Sequence, residues 1–316
     1  MSRLHTVCVS THSQSYYPVL QKSAERHGVD VTSLGFGQEW TGTAMKIDLL
    51  DEYLGQLDDD DLLLFIDAFD VVLFADEKQI RRSFEDYQQK HPNCKVLIGA
   101  HAAPNPLMRY LMERSFMSGP GCETLLCCGT FMGKVRDVKN LFEALKDKIE
   151  ELQTYDDQIV FVSVYGQQRR RLGMCLDAHS EVFATLCPPK NFACMLAGST
   201  SMDHLEVTKH LRVKNKNNGA FPVLVHAPGE TCIDRLLRDL KYVVPPKSVT
   251  EHLKLVGKKV KFYAKFVDKP RQALVGIFTS LFLVIFIAAA AASPSIVVKS
   301  GCVTMMVATL TVLLII

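Results

Sequence analysis

Asp67 and Asp70 sit inside an otherwise apolar run: Leu62–Ala75 reads Leu-Leu-Leu-Phe-Ile-Asp-Ala-Phe-Asp-Val-Val-Leu-Phe-Ala. A buried strand takes Leu, Phe and Ile on both faces, but it does not take bare carboxylates at low cost. The run therefore predicts a strand that ends at Asp67, with both acids at its C-terminal edge, where open α/β sheets place their ligands. Oxygen donors so placed suit a hard divalent cation; a solvated turn after a strand would use the same residues. Two further polar sets fall at predicted element ends: Asp156 with Asp157 at a helix start, and His226 at a strand end. Two carboxylates and an imidazole make a shell that Mn²⁺ accepts, and a divalent cation there would neutralise a diphosphate leaving group. Taken singly, the Asp156-Asp157 pair also reads as a helix N-cap, and His226 as a partly exposed histidine before a turn.

These groups need a scaffold to bring them together. Leu4–Ser10 reads as a strand, Tyr17–His27 as a helix ended by Gly28, Val29–Leu34 as a second strand and Lys46–Leu57 as an amphipathic helix. After the Leu62–Asp67 strand come a helix at Glu77–Lys90 and a strand at Val96–Ala100. This alternation predicts an α/β architecture with a central, mostly parallel sheet. Further along, Thr124–Met132, Met174–Leu176, Val182–Phe183 and Pro222–His226 read as strands, and Val135–Leu152 and Gln158–Tyr165 as helices.

The chain has 316 residues and a formal charge of +2, which gives no reason to expect nucleic-acid binding. Its ten cysteines form no Cys-x-x-Cys, and no histidine pair has zinc spacing, so a structural zinc site is not expected. Gln272–Val298 carries no charged residue, and Gly301–Ile316 is a second uncharged stretch. Their length predicts a membrane anchor at 273–316, with one or two spans or a hairpin turned at Pro294. The lysines upstream, in a basic juxtamembrane connector at 247–272, predict a cytosol-facing globular part. Leu4–Val9 is short and interrupted by His5 and Thr6, and does not read as a secretory signal.

The order of segments carries a resemblance. Leu34-Gly35-Phe36-Gly37-Gln38-Glu39-Trp40-Thr41-Gly42, Lys46, Phe65–Val71, Cys128–Gly133, Asp156-Asp157-Gln158, Leu176-Asp177 with Val182-Phe183, and His226–Gly229 follow one another as in a known family. The succession resembles the glycosyltransferase domain of the procollagen lysyl hydroxylases and related collagen-type glycosyltransferases, over roughly Leu4 to Pro246. The resemblance implies a GT-A-type nucleotide-sugar-binding fold over residues 1–246, with Mn²⁺ and a UDP-sugar donor. On it, Asp67, Asp70 and His226 would bind the metal, and Phe69 would lie against the uracil. Thr11 and Lys46 would contact the nucleotide part of the donor, and Asp156 and Asp157 would face sugar and acceptor. An ammonium at Lys46 would offset leaving-group charge; without the family it reads as a solvated helix lysine.

The chain departs from the resemblance at Cys127-Cys128-Gly129-Thr130, where relatives carry Asn-Ser-Gly-Gly. Thiols are poorer hydrogen-bond donors than the groups they replace. The expected activity is a membrane-anchored, Mn²⁺-dependent transfer of glucose or galactose from UDP-glucose or UDP-galactose to a protein or glycan acceptor. The alternative is a relative that has lost transfer and binds UDP or a UDP-sugar as a scaffold. A weaker third reading is a nucleotide-sugar or phosphoester hydrolase.

Overall fold

The computed structural model describes residues 2–102, 124–154, 156–186, 202, 204–228 and 233–243. They belong to one compact unit, Met1–Val256. The N-terminal half runs β1 (Leu4–Val9), α1 (Tyr17–His27), β2 (Val31–Leu34), α2 (Ala44–Leu54), β3 (Leu62–Ile66), β4 (Val71–Leu73), α3 (Glu77–Lys90) and β5 (Val96–Ala102). There follow β6 (Thr124–Lys134), α4 (Val135–Leu152), α5 (Asp157–Leu172), β7 (Met174–Asp177), β8 (Phe183–Thr185), β9 (Leu205–Val207), β10 (Val213–Asn215), β11 (Leu224–His226) and α6 (Asp234–Asp239).

The central sheet has the order β2-β1-β3-β6-β5-β7. Its β1–β2, β1–β3 and β5–β7 pairings are parallel, and β6 runs antiparallel to both neighbours. The mixed α/β architecture with a mostly parallel sheet is thus as expected, with one reversed strand inside it. β3 shows how the sequence builds both faces. Side chains alternate along a strand, so Leu62, Leu64 and Ile66 enter one core with α1 and α3, while Leu63 and Phe65 enter the other with α2, α4 and α5. Covered on both faces, the strand reads as continuously apolar.

Local signals set the helix ends. Gly28, at φ +64°, stops α1 in the left-handed conformation, and its N–H turns back to the carbonyls of Ala24 and Glu25. Asp76 and Gln79 form a reciprocal capping box at the start of α3.

The apolar run Leu62–Ala75 holds two strands where the sequence suggested one. β3 belongs to the central sheet, whereas β4 pairs antiparallel with β11 in a second sheet of order β4-β11-β8. Asp67-Ala68-Phe69-Asp70 is the crossing between the two sheets. The second sheet covers a core of its own, with Val72, Phe74, Ala184 and Val225 packed against Leu236 and Leu237 of α6. Neither β4 nor the β9–β10 pair nor α6 was expected.

The expectation of a membrane-anchored chain with a cytosol-facing domain is corrected. Among the described residues, no helix is long and apolar enough to cross a membrane. The described helices keep a charged outer face because each buries only the stripe turned toward the sheet, as Ile80, Phe84 and Tyr87 do on α3. The basic connector at 247–272 and the stretch 273–316, which carried the expectation, lie outside the described residues.

Candidate functional site

Asp67 follows the last residue of β3, and its N–H donates to the carbonyl of Gly129 on β6 at 2.7 Å. Asp70 precedes β4, and its carbonyl accepts from Ala227 N–H at 2.8 Å. The β4–β11 register pairs His226 with Val71, one residue beyond Asp70. The crossing between the sheets thus faces a strand end, and three side chains converge. His226 Nε2 lies 3.3 Å from Asp70 Oδ1 and 3.7 Å from Asp67 Oδ2. One ligand atom from each of the three lies within 4.8 Å of the others. The side chain of His226 is wholly buried and Asp70 nearly so, whereas Asp67 opens to solvent.

The cluster fits a divalent cation. Asp70 Oδ1 and His226 Nε2 face each other out of hydrogen-bond alignment, and neither has a hydrogen-bond partner among the described residues. Buried polar atoms in that state are costly unless something ligates them. Gly129 keeps the space open: a Cβ there would collide with Asp67 Oδ2 and His226 Cε1. Two carboxylate oxygens and one imidazole nitrogen are donors that Mn²⁺ and similar ions accept.

Lys46 extends the cluster. Its Nζ lies 2.8 Å from Asp67 Oδ1 and 3.3 Å from Asp157 Oδ2. It stands in the first turn of α2, where the helix dipole disfavours a cation. Burial also opposes its charge, but Asp67 and Asp157 outweigh burial and hold its pKa well above the ordinary lysine value. Asp157 stands at the start of α5, and Gln158 anchors that helix to β6. Gln158 Oε1 accepts from Cys128 N–H at 3.1 Å, and its Nε2 donates to the carbonyl of Leu126 at 2.8 Å. Asp156 is committed differently: its Oδ1 accepts from Ile159 N–H at 3.1 Å and caps α5.

Thr11 and Phe69 form a neighbouring group. Thr11 is buried beyond the end of β1, its Oγ1 lies 2.9 Å from His12 Nδ1, and its carbonyl accepts from Gly37 N–H. The Phe69 ring stands 6.1 Å from that of His12 and 6.4 Å from that of Tyr17. The structure therefore joins Lys46, Asp67, Asp70, Asp157 and His226 in one ionic cluster, sets Thr11 and Phe69 in an aromatic corner, and uses Asp156 to build the helix that presents Asp157.

Sequence reasoning assigned no role to Cys127, His101, Gln158 or Gly129. Cys127 Sγ lies 3.6 Å from His226 Nδ1, on the side of the ring away from the carboxylates. Burial raises its pKa, but His226 and a hydrogen bond with His101 more than reverse this and bring it to about 6. Burial lowers the pKa of His226, and Cys127 and Asp70 together drive it well above the ordinary imidazole value. Cys128 is buried, and burial together with Asp157 holds its thiol protonated. The one signal for Gly129 was its place in Cys-Cys-Gly-Thr, where the need for a missing side chain is invisible without the partner strand.

The PLOD GT domain profile matches residues 1–250. The chain is 28% identical over 200 residues to a procollagen-lysine,2-oxoglutarate 5-dioxygenase of Drosophila melanogaster, covering 60% of this chain and 26% of that one. It is 27% identical over 201 residues to a multifunctional procollagen lysine hydroxylase and glycosyltransferase of Caenorhabditis elegans, covering 59% of this chain and 26% of that one. The chain thus spans about a quarter of the length of these curated relatives. Among solved structures, a glycosyltransferase involved in glycosylation of the major capsid of PBCV-1 superimposes with a TM-score of 0.44 at 12% identity, over 76% of this chain and 100% of that one. The profile match extends over most of the chain, and the chain belongs to the PLOD GT domain family, as a glycosyltransferase-like domain.

Proposed function

We propose that the chain is a Mn²⁺-dependent glycosyltransferase that moves glucose or galactose from a UDP-sugar to a hydroxyl of a protein or glycan acceptor. The observation that carries this reading is the convergence of Asp67, Asp70 and His226 with two orphaned ligand atoms between them. These three residues would hold the cation, which when bound would neutralise the diphosphate as it leaves the sugar. Lys46, already fixed by two carboxylates, would add positive charge on the same side. The corner at Thr11 and Phe69 would receive the nucleotide, with Phe69 against the uracil. Asp157 would orient the donor sugar or the acceptor hydroxyl, and Asp156 would hold the α5 N-terminus that presents it. On this reading the protein mainly positions donor and acceptor. The working domain would be a GT-A-type unit at 1–246, followed by a basic connector at 247–272.

The test is sugar transfer from UDP-glucose and UDP-galactose to an acceptor panel by the full chain, with Mn²⁺ and with a chelator. Turnover that persists under chelation, or that survives Asp67→Ala and Asp70→Ala, would overturn the assignment.

One observation favours a second reading, a binding module that has lost transfer. Cys128, whose charged neighbours include Asp157, Lys46 and Asp67, offers only a buried thiol where a sugar would need to be hydrogen-bonded. Calorimetry separates the two readings: tight UDP–Mn²⁺ binding with no turnover on any acceptor supports the module. Release of free sugar without acceptor dependence would indicate a hydrolase instead.

A further inference from the structure

We propose that Cys127 is a positioning residue: it holds the proton of a neutral His226 ring on Nδ1 and so leaves the Nε2 lone pair facing Asp67 and Asp70. The proposal rests on the reading of those three residues as a cation site. It comes from a buried relay that the catalytic reading does not use. The Leu186 carbonyl lies 3.2 Å from His101 Nδ1, His101 hydrogen-bonds Cys127, and Cys127 Sγ lies 3.6 Å from His226 Nδ1. His101, Cys127 and His226 are all buried, so water does not compete for these bonds. The relay closes on itself, because Leu186 N–H donates to the carbonyl of His226 at 2.8 Å.

The proton positions follow from one fixed point. A carbonyl only accepts, so His101 Nδ1 carries its proton toward Leu186. The other nitrogen of a neutral His101 ring is then an acceptor and takes the Cys127 S–H. With its own proton spent there, the sulfur has only lone pairs left for His226, so His226 Nδ1 must donate to it. A thiolate at Cys127 would impose the same direction, since it too only accepts. Either way the proton of a neutral His226 ring sits on Nδ1, and the Nε2 lone pair is left facing the carboxylates. Ligating histidines are commonly held by a hydrogen bond from the other ring nitrogen to an oxygen acceptor; here the acceptor is sulfur.

The test uses the full chain with ¹⁵N-labelled histidine, free of metal, at a pH high enough to leave the His226 ring neutral. The relay predicts a protonated Nδ1 and a bare Nε2 in the native chain. That preference should persist in Cys127→Ser, whose hydroxyl can replace the thiol in both bonds, and vanish in Cys127→Ala. A native ring protonated at Nε2, or the same tautomer in Cys127→Ala, would overturn the proposal. In parallel, Mn²⁺ titration followed by electron paramagnetic resonance should show about 10-fold or greater weakening in Cys127→Ala, with Cys127→Ser close to native. Unchanged affinity in a folded Cys127→Ala would overturn the proposal as well. If Cys127→Ala does not fold, the native tautomer and Cys127→Ser still decide. A native chain that keeps the Nδ1 proton but ignores Mn²⁺ supports the relay and sinks the cation reading alone.

Discussion

Lys46 Nζ is bound 2.8 Å from Asp67 Oδ1, a contact across 21 positions that ties the first turn of α2 to the end of β3. The same ammonium reaches Asp157 on α5, so one cation holds two carboxylates that would otherwise repel each other. A lysine placed against its helix dipole and against burial is there for its charge. On the proposed reading, Lys46→Met should lower turnover by about 100-fold, the size found for loss of one preorganised electrostatic donor. Steady-state transfer at saturating Mn²⁺ checks this; turnover within a few-fold of native would remove Lys46 from the mechanism.

Asp70 is nearly buried, and its Oδ1 has no hydrogen-bond partner among the described residues. Asp70→Asn keeps the shape and removes the charge. Mn²⁺ affinity should fall at least about 10-fold, no less than for loss of an outer-shell partner, and thermal stability should fall too, because the buried His226 loses the carboxylate that faces it. Calorimetric titration beside a thermal melt reads both quantities. Equal Mn²⁺ affinity would rule this carboxylate out as a ligand.

Gly129 approaches Asp67 and His226 so closely that a Cβ would occupy the space between them. In Gly129→Ala the crossing between the sheets must shift, at a cost of about 1–3 kcal/mol, as for overpacking elsewhere. The expected result is a folded chain with lower stability and no measurable Mn²⁺ site. Native cation affinity in this variant would contradict the placement of the cation between these residues.

Asp156 and Asp157 are adjacent but differently engaged. Asp156→Ala removes the α5 cap and should cost about 1 kcal/mol of stability, with transfer reduced only as far as Asp157 is loosened. Asp157→Asn keeps the helix and should abolish most transfer. Denaturant melts and transfer rates for the pair of variants separate capping from chemistry; the reverse pattern would exchange the two roles.

Asp61 gives a pH prediction away from the site. Its carboxylate accepts from the backbone N–H of Arg3 and lies 3.0 Å from His5 Nε2. Burial works against its charge, but the Arg3 N–H and His5 outweigh burial and lower its pKa. A folded pKa below the unfolded value, about 3.9, means a stabilising contribution that is present above that value. It is lost as pH falls through the folded value. The stability difference between the native chain and Asp61→Asn should therefore be constant near neutrality and shrink below about pH 4. Urea melts over that range test it, and a difference independent of pH would refute the link.

The sequence by itself determined the layers and most of the elements. The helices at Tyr17–His27, Glu77–Lys90 and Val135–Leu152 stand where periodicity, caps and a terminal glycine place them, because those signals act within a few residues along the chain. It also marked Asp67, Asp70 and His226, because charge inside apolar sequence demands an explanation wherever the chain goes. The membrane anchoring that it predicted from uncharged length is corrected, since no helix among the described residues is long and apolar enough to cross a membrane. Tertiary structure alone decided the site. That Asp67–Asp70 crosses between two sheets, that Lys46 meets Asp157, that Gly129 must lack a side chain and that Cys127 lies behind His226 all depend on strand register and on residues far apart in sequence. Such contacts leave no local trace: they exist only once pairing of β3 with β6 and of β4 with β11 has set which side chains share a buried space.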